Sequence, residues 1–376
     1  MNICIATHCY PYFSGDISGH FVPFLAEELK SRGQRIFIFT PRMEITRSSV
    51  FEQEREFVVE YFKWLGGTKL LGSLNILNPR DALSLLSLAI NGVKNLLDFI
   101  ERNQIDLCLA IWAIPSGYFC YMAKKRMNIP YAVWVLGSDV NVYGKRLFLR
   151  SMLKRVLRDA DHLFANSRGL IKSVEALSGK NCGFMATNRR LPNPGRVTLK
   201  KGVTNFLYVG RLERVKGVDV LIESMKNLLE DGVKANLHVL GDGSMKEELE
   251  GRVISYEIEK NVFFYGMVNA ETVSSYLASC DYLVIPSRSE GMPVVFHEAM
   301  QLKVPVIVTD VGDMGQLTRR YNVGEVVEAE DIIQLKEAMK EIIRGNRADY
   351  VKKMNEIVSE FDLGKSAETF LMSIKS

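Results

Sequence analysis

Two glutamates eight positions apart, Glu290 and Glu298, lie in the run Ser287-Arg288-Ser289-Glu290-Gly291-Met292-Pro293-Val294-Val295-Phe296-His297-Glu298-Ala299-Met300. The apolar Tyr282-Leu283-Val284-Ile285 before it reads as a strand, and the pattern after it reads as a helix. This order puts Glu290 in a Gly/Pro turn at the strand's C-terminal end. Glu298 falls about one turn into the helix, where it can point back toward the same crevice. In open α/β sheets, ligands bind in the crevice beyond the strand ends. Two carboxylates there, with helix N-terminal amides between them, suit a ligand bearing hydroxyls and phosphates, as a nucleotide sugar does. Outside such a setting, a Glu pair at this spacing reads as solvated helix-face charge.

A second constellation supplies cations. Arg211 and Lys216 stand five apart in Tyr208-Val209-Gly210-Arg211-Leu212-Glu213-Arg214-Val215-Lys216-Gly217, where a strand ends, Gly210 permits a turn and a helix starts. Arginine can grip two oxygens at once and lysine brings a compact charge, which suits a diphosphate. The plainer account is a solvated loop carrying two cations.

The Glu-x7-Glu run, with Glu-Gly-Met-Pro at its head and Glu-Ala-Met at its tail, resembles the signature of retaining glycosyltransferases of family 4. Further matches run in order from Pro11 to about Gly324. The resemblance implies an α/β GT-B fold, two doubly wound Rossmann-like domains facing each other across a crevice. It implies that Arg211 and Lys216 neutralise charge building on the leaving nucleoside diphosphate. Glu298 would accept hydrogen bonds from the ribose hydroxyls, and Glu290 would contact the transferred sugar. Beside Gly291, the amides of Met292 and Val294 are placed to donate to phosphate or sugar oxygens, whereas Pro293 has no N–H. Tyr265-Gly266-Met267-Val268 resembles the segment whose backbone, at Val268, reads the base edge.

In the first half, Tyr10-Pro11-Tyr12-Phe13-Ser14-Gly15-Asp16-Ile17-Ser18-Gly19-His20 resembles the family's glycine-rich acceptor and phosphate loop, without its usual adjacent glycine pair. Gly15 belongs to this loop, and the amides of Ser18 and Gly19, nearest the helix start, are its oxyanion candidates. His20 reads equally as a base or ligand and as a capping residue. Val135-Leu136-Gly137-Ser138-Asp139 places Leu136 where many family members carry a histidine, which puts a His-based mechanism in doubt. Asp139 matches the family's aspartate and is the first-domain polar group expected to face the crevice.

Two other patterns are weaker. Gly241-Asp242-Gly243 lacks a third glycine, with Lys246 in its place, and reads as a tight strand–helix turn. Asp159-Ala160-Asp161 matches a metal-binding pattern of a different glycosyltransferase fold, but it reads as helix-end and strand-entry charge. No cofactor and no metal are expected beyond the nucleotide-sugar donor.

These residues need a scaffold, and 376 residues suggest two domains of similar size. Expected strands are Asn2–Thr7, Arg35–Thr40, Leu107–Ile111, Tyr131–Leu136 and His162–Ala165, then Asn205–Val209, Leu237–Leu240, Val262–Tyr265, Tyr282–Ile285 and Val304–Thr309. Helical patterns alternate with them, which predicts parallel sheets. The stretch Arg190-Leu191-Pro192-Asn193-Pro194-Gly195-Arg196 is the most loop-like interior segment. It gives an acceptor domain over 1–195, rejoined by a C-terminal helix over about 355–376, and a donor domain over 200–354.

Residues 1–200 hold 27 Lys and Arg against 16 Asp and Glu, while the rest holds 21 against 28. The halves should therefore meet different partners. Six scattered cysteines without a Cys-x-x-Cys pair suggest buried reduced thiols. With no signal-like N-terminus and no apolar run of spanning length, a cytoplasmic protein is expected. Lys145 to Arg158 carries six cations and no acid. Arg146, Arg150, Lys154 and Arg158 share one helical face and Leu149, Leu153, Val156 and Leu157 another. That helix could rest on an anionic membrane, making the protein peripheral on its inner face, or pack its apolar face on the sheet. No nucleic-acid partner is expected.

The expected function is a retaining, metal-independent glycosyltransferase acting on a saccharide or lipid-linked acceptor, in cell-surface polysaccharide or glycolipid synthesis. The alternatives are a nucleotide-sugar 2-epimerase of the same shape and a non-catalytic binding module. Donor sugar, base, acceptor and oligomeric state are not readable.

Overall fold

The computed structural model describes residues 1–11, 19–43, 57–67, 71, 74, 78–141 and 147–375. It divides into two compact units, Met1–Ala186 with Leu363–Ser376, and Thr187–Asp362.

The first unit is built on strands β1 (Asn2–Ala6), β2 (Arg35–Pro41), β3 (Val58–Phe62), β4 (Leu107–Ile111), β5 (Tyr131–Val135), β6 (His162–Ala165) and β7 (Gly183–Phe184). They form one parallel sheet in the order β3-β2-β1-β4-β5-β6-β7. Alternate residues serve different cores. Cys4, Phe37, Phe39, Cys108 and Val133 pack on one face, whereas Ile3, Ile5, Ile38, Leu109 and Trp134 pack on the other. Burial on both faces explains why the inner strands read as continuous apolar runs. The C-terminal helix Leu363–Ser373 completes the second face, setting Phe370 against Phe164 with ring centroids 5.8 Å apart.

The second unit contains β8 (Thr204–Val209), β9 (Ala235–Leu240), β10 (Val262–Phe264), β11 (Tyr282–Ile285), β12 (Val306–Thr309) and β13 (Gly324–Val327). Their order is β10-β9-β8-β11-β12-β13, again all parallel. Each sheet reverses its strand order once, between β1 and β4 in the first unit and between β8 and β11 in the second. Ligands of doubly wound sheets bind outside the strand ends at that reversal.

The units part at Ala186/Thr187, not within the Pro/Gly-rich stretch at 190–196. The reason lies in side-chain hydrogen bonds that tie this stretch into the second unit. Asn188 Nδ2 donates to Phe361 O (3.0 Å), Ser274 Oγ to Pro192 O (2.7 Å) and Gly195 N to Ser275 Oγ (2.8 Å). Helix Met354–Glu360 likewise packs on helix Val294–Gln301, so the returning segment begins at Leu363 and not near 355.

Candidate functional site

The end of β8 turns sharply because Tyr208 Oη donates to Arg211 O (2.8 Å). A single 3-10 turn, Arg214–Lys216, follows. It closes at Gly217, whose φ of +69° lies in the left-handed region. A Cβ there would stand 2.0 Å from Pro286 O, so only glycine lets this loop lie against the loop leaving β11. That approach brings Lys216 Nζ into an ion pair with Glu290 Oε1. Ser287 Oγ donates to the same carboxylate oxygen at 3.1 Å. The second of the two cations and the first of the two carboxylates singled out by spacing thus meet at the strand reversal of the second sheet.

Arg288, which the sequence reading left aside, binds the two loops together. Its backbone N donates to Val215 O (2.8 Å). Its guanidinium holds Asp219 bidentately at 2.8 and 2.9 Å and reaches Glu330 Oε1 at 2.6 Å. Burial pushes Asp219 up, but the Arg288 hydrogen bonds outweigh it and hold the carboxyl below its ordinary range. The signal was present in sequence, since Arg288 lies two positions before Glu290 in the same run. Only the fold shows that it faces Asp219. Arg211 is exposed and forms no ion pair among the described residues.

Helix Val294–Gln301 starts after Pro293 without a side-chain cap. The amides of Met292 and Val294 donate no hydrogen bond among the described residues, leaving two donors beside Gly291. Gly312, at φ +59°, lies against this turn, where a Cβ would come 2.2 Å from Gly291 O.

Glu298 departs from the open carboxylate that its spacing suggested. It is only 2% exposed, and its Oε1 pairs with Arg189 Nε. Burial raises its pKa, and Arg189 opposes the rise. Gln301 Nε2 donates to Arg189 O (3.0 Å) and to Asn188 Oδ1 (2.9 Å), which fixes the segment carrying Arg189. The two glutamates therefore hold different cations. Beside Glu298, His297 is buried with neither ring nitrogen hydrogen-bonded among the described residues, its ring centroid 4.2 Å from that of Phe361. Burial pushes its pKa down to about 3.

The remaining donor-side positions are backbone features. Gly210 N donates to Leu240 O (3.0 Å), Gly241 N to Gly266 O (2.8 Å) and Leu212 N to Asp242 O (2.9 Å). This gives the tight strand–helix turn expected at Gly241-Asp242-Gly243. Val268 is half-buried, just before helix Ala270–Ser279.

In the first unit, Gly15 and Ser18 lie outside the described residues. Gly19 has φ +61°, and a Cβ there would meet Cys9 O at 2.1 Å, so the helix start presses on the loop after β1. His20 makes no side-chain cap on helix Phe21–Ser31 and sits edge-on to Phe21. Asp139 is fully buried and is not presented as an open polar group. Its Oδ2 accepts from Ala113 N (2.9 Å) and its Oδ1 from Gly137 N (3.1 Å), because the loops after β4 and β5 turn their amides inward. Desolvation raises its pKa against these hydrogen bonds. The spacing also gave no hint of His8 and Trp112, which flank the reversal between β1 and β4. Their rings stand 4.3 Å apart, Trp112 has φ +67°, and burial lowers His8 to about 4.

Residues 142–146 lie outside the described residues. In helix Leu147–Asp159, Leu153, Val156 and Leu157 are buried in the domain core, so this face of the basic helix serves packing, not lipid. Among the described residues no cluster of three or more His, Cys, Asp or Glu could hold a metal ion.

Comparison with known proteins gives this geometry a context. A family described as Glycosyl transferases group 1 matches residues 193–360. The putative teichuronic acid biosynthesis glycosyltransferase TuaC of Bacillus subtilis is 32% identical over 282 residues, 70% of this chain and 68% of that one. The sucrose-phosphate synthase structure from Thermosynechococcus elongatus superposes with TM-score 0.82 at 19% identity, covering 100% of this chain and 98% of that one. The Anabaena HepE structure, in complex with UDP and glucose, superposes with TM-score 0.74 at 16% identity, covering 100% and 99%. These likenesses establish the GT-B fold, and the match to TuaC carries the family: the chain belongs to the group 1 glycosyl transferases.

Proposed function

We propose that the chain moves a sugar from a nucleoside diphosphate donor to a glycan or lipid-linked acceptor, with retention of anomeric configuration and without a metal ion. The observation that carries this reading is the Lys216–Glu290 pair at the β8/β11 reversal, beside Arg211 and two amides that have no partner among the described residues. These groups offer positive charge and donors to a diphosphate and a carboxylate to sugar hydroxyls. The complex of HepE with UDP and glucose supports the donor class. TuaC, named for teichuronic acid biosynthesis, supports a cell-surface polymer as product.

In this reading, the acceptor oxygen bonds to the anomeric carbon as the bond from that carbon to the β-phosphate oxygen breaks. The departing diphosphate oxygen takes the acceptor's proton on the same face. Arg211 and Lys216 stabilise the charge that develops there, a preorganised electrostatic contribution. Glu290 holds the sugar hydroxyls. Glu298 receives the ribose, which takes over hydrogen bonding that Arg189 makes in the free protein. The first unit binds the acceptor.

The test is transfer across a panel of nucleotide sugars and saccharide acceptors, with the product's anomeric coupling read by NMR and EDTA added in parallel. Retention with EDTA-insensitive turnover is the expected result. Inversion, loss of activity in EDTA, or an epimerised donor formed without acceptor would each contradict the proposal.

A further inference from the structure

Four of the twelve exposed large apolar side chains among the described residues gather on one face of the first unit. Leu83, Leu86 and Ile90 (60%, 55% and 59% exposed) recur at i, i+3 and i+7 on helix Pro79–Asn103. Leu65, 75% exposed, lies beside them because its amide donates to Ser87 Oγ at 3.2 Å. The opposite side of the helix, with Leu88, Leu96, Phe99 and Ile100, is built into the domain core. The helix is long and apolar enough to cross a membrane, yet this buried side ties it to the sheet, so its outer stripe can lie on a surface but not span one.

Cations flank the stripe. Between Tyr61 and Leu97 the described residues hold Lys63, Arg80 and Lys94 against Asp81, and the exposed acids of the helix, Asp98 and Glu101, follow only beyond Lys94. Asp81 is buried. Arg42, Lys63, Arg80 and Lys94 are exposed, and none is paired with a carboxylate among the described residues. Arg42 and Lys63 line a cavity of about 590 Å³ together with Met43, Trp64, Leu65 and Ser87, so cations and apolar side chains open onto the same face.

We propose that this face seats the first unit on the surface of an anionic phospholipid bilayer. Leu65, Leu83, Leu86 and Ile90 enter the acyl boundary, while lipid phosphates meet Arg42 and Lys63 at the cavity mouth. Attachment through this face is independent of the transfer chemistry. It uses the stripe and cations that have no carboxylate partner among the described residues, not the basic helix Leu147–Asp159.

Co-sedimentation of the full chain with vesicles, of phosphatidylcholine alone or mixed equally with phosphatidylglycerol, tests it without any activity readout. Binding is expected to the mixed vesicles only and to weaken as salt rises. The pairs Leu86→Glu with Ile90→Glu, and Arg42→Glu with Lys63→Glu, should each lower the partition coefficient about tenfold or more. Arg150→Glu with Arg158→Glu should retain most of the binding. Circular dichroism and the melting temperature confirm that each variant is folded. The proposal is overturned if the wild-type chain ignores anionic vesicles, if both stripe variants bind as before, or if only the Arg150/Arg158 variant loses binding. It is also overturned if the chain forms a dimer that Leu86→Glu with Ile90→Glu dissociates and binds no vesicle, which assigns the face to a second copy.

Discussion

Lys216 and Glu290, 74 residues apart in sequence, form an ion pair between the loops that leave β8 and β11, the two strands flanking the order reversal of the second sheet. The pair depends on backbone shape as much as on charge, since Gly217 must admit Pro286 O where any other residue places a Cβ. Gly217→Ala should therefore separate the loops. We expect turnover to fall at least about tenfold, with a stability loss on the order of 1–3 kcal/mol from the strained left-handed backbone and the clash. Steady-state kinetics and chemical denaturation of the same preparation check both effects.

Arg288 acts on the site through the loops it joins. Arg288→Lys keeps the charge but loses the bidentate fork on Asp219, so it should not restore what Arg288→Ala removes. Both variants should lower kcat more than they raise the donor KM. A double-mutant cycle with Asp219→Asn should show a coupling of about 1–3 kcal/mol in stability. A change in stability with kcat unaltered would reduce Arg288 to a structural residue.

The Arg189–Glu298 pair is almost fully buried on both sides. Removing one partner leaves the other charge without compensation, and Arg189→Met should cost about 3–5 kcal/mol in denaturant titration. Arg189→Met with Glu298→Gln should recover much of that loss, because neither charge remains. If Glu298 takes the ribose, the double variant will be stable and still bind donor poorly, which isothermal titration with a nucleoside diphosphate separates.

His297 gives a pH dependence. Its folded pKa of about 3 lies below the ordinary histidine value, so the unfolded chain binds the proton first as pH falls. Stability is complete above pH of about 6.5 and declines as pH drops through the window toward 3. Between pH 7 and pH 5 the single histidine accounts for about 2 kcal/mol of unfolding free energy. Replacing it in His297→Leu should flatten the denaturation midpoint against pH by that amount. An unchanged slope would mean that the ring is not held neutral.

The sequence was most readable where chemistry and burial coincide. Buried strands such as β4 and β11 appeared with the bounds Leu107–Ile111 and Tyr282–Ile285, because both faces are covered and every residue is apolar. Edge strands β3 and β13 escaped, since Val58 and Glu325 belong to half-solvated surfaces that carry no continuous apolar run. The unit boundary moved because Asn188 and Arg189, polar residues in a loop-like stretch, are anchored by Phe361, Gln301 and Glu298, all far away in sequence. Lys216 and Glu290 could be named from their turns. Their mutual pairing, Arg189 on Glu298 and the amide-bound Asp139 needed the fold.

The central claim is that the cations at the end of β8 stabilise charge on a departing diphosphate. Its most direct measurement is kcat for sugar transfer in Arg211→Ala and Lys216→Ala, with folding verified by circular dichroism. Loss of such a preorganised contact should lower kcat by about 10²–10³ in each variant. Near-normal kcat in both would contradict the account.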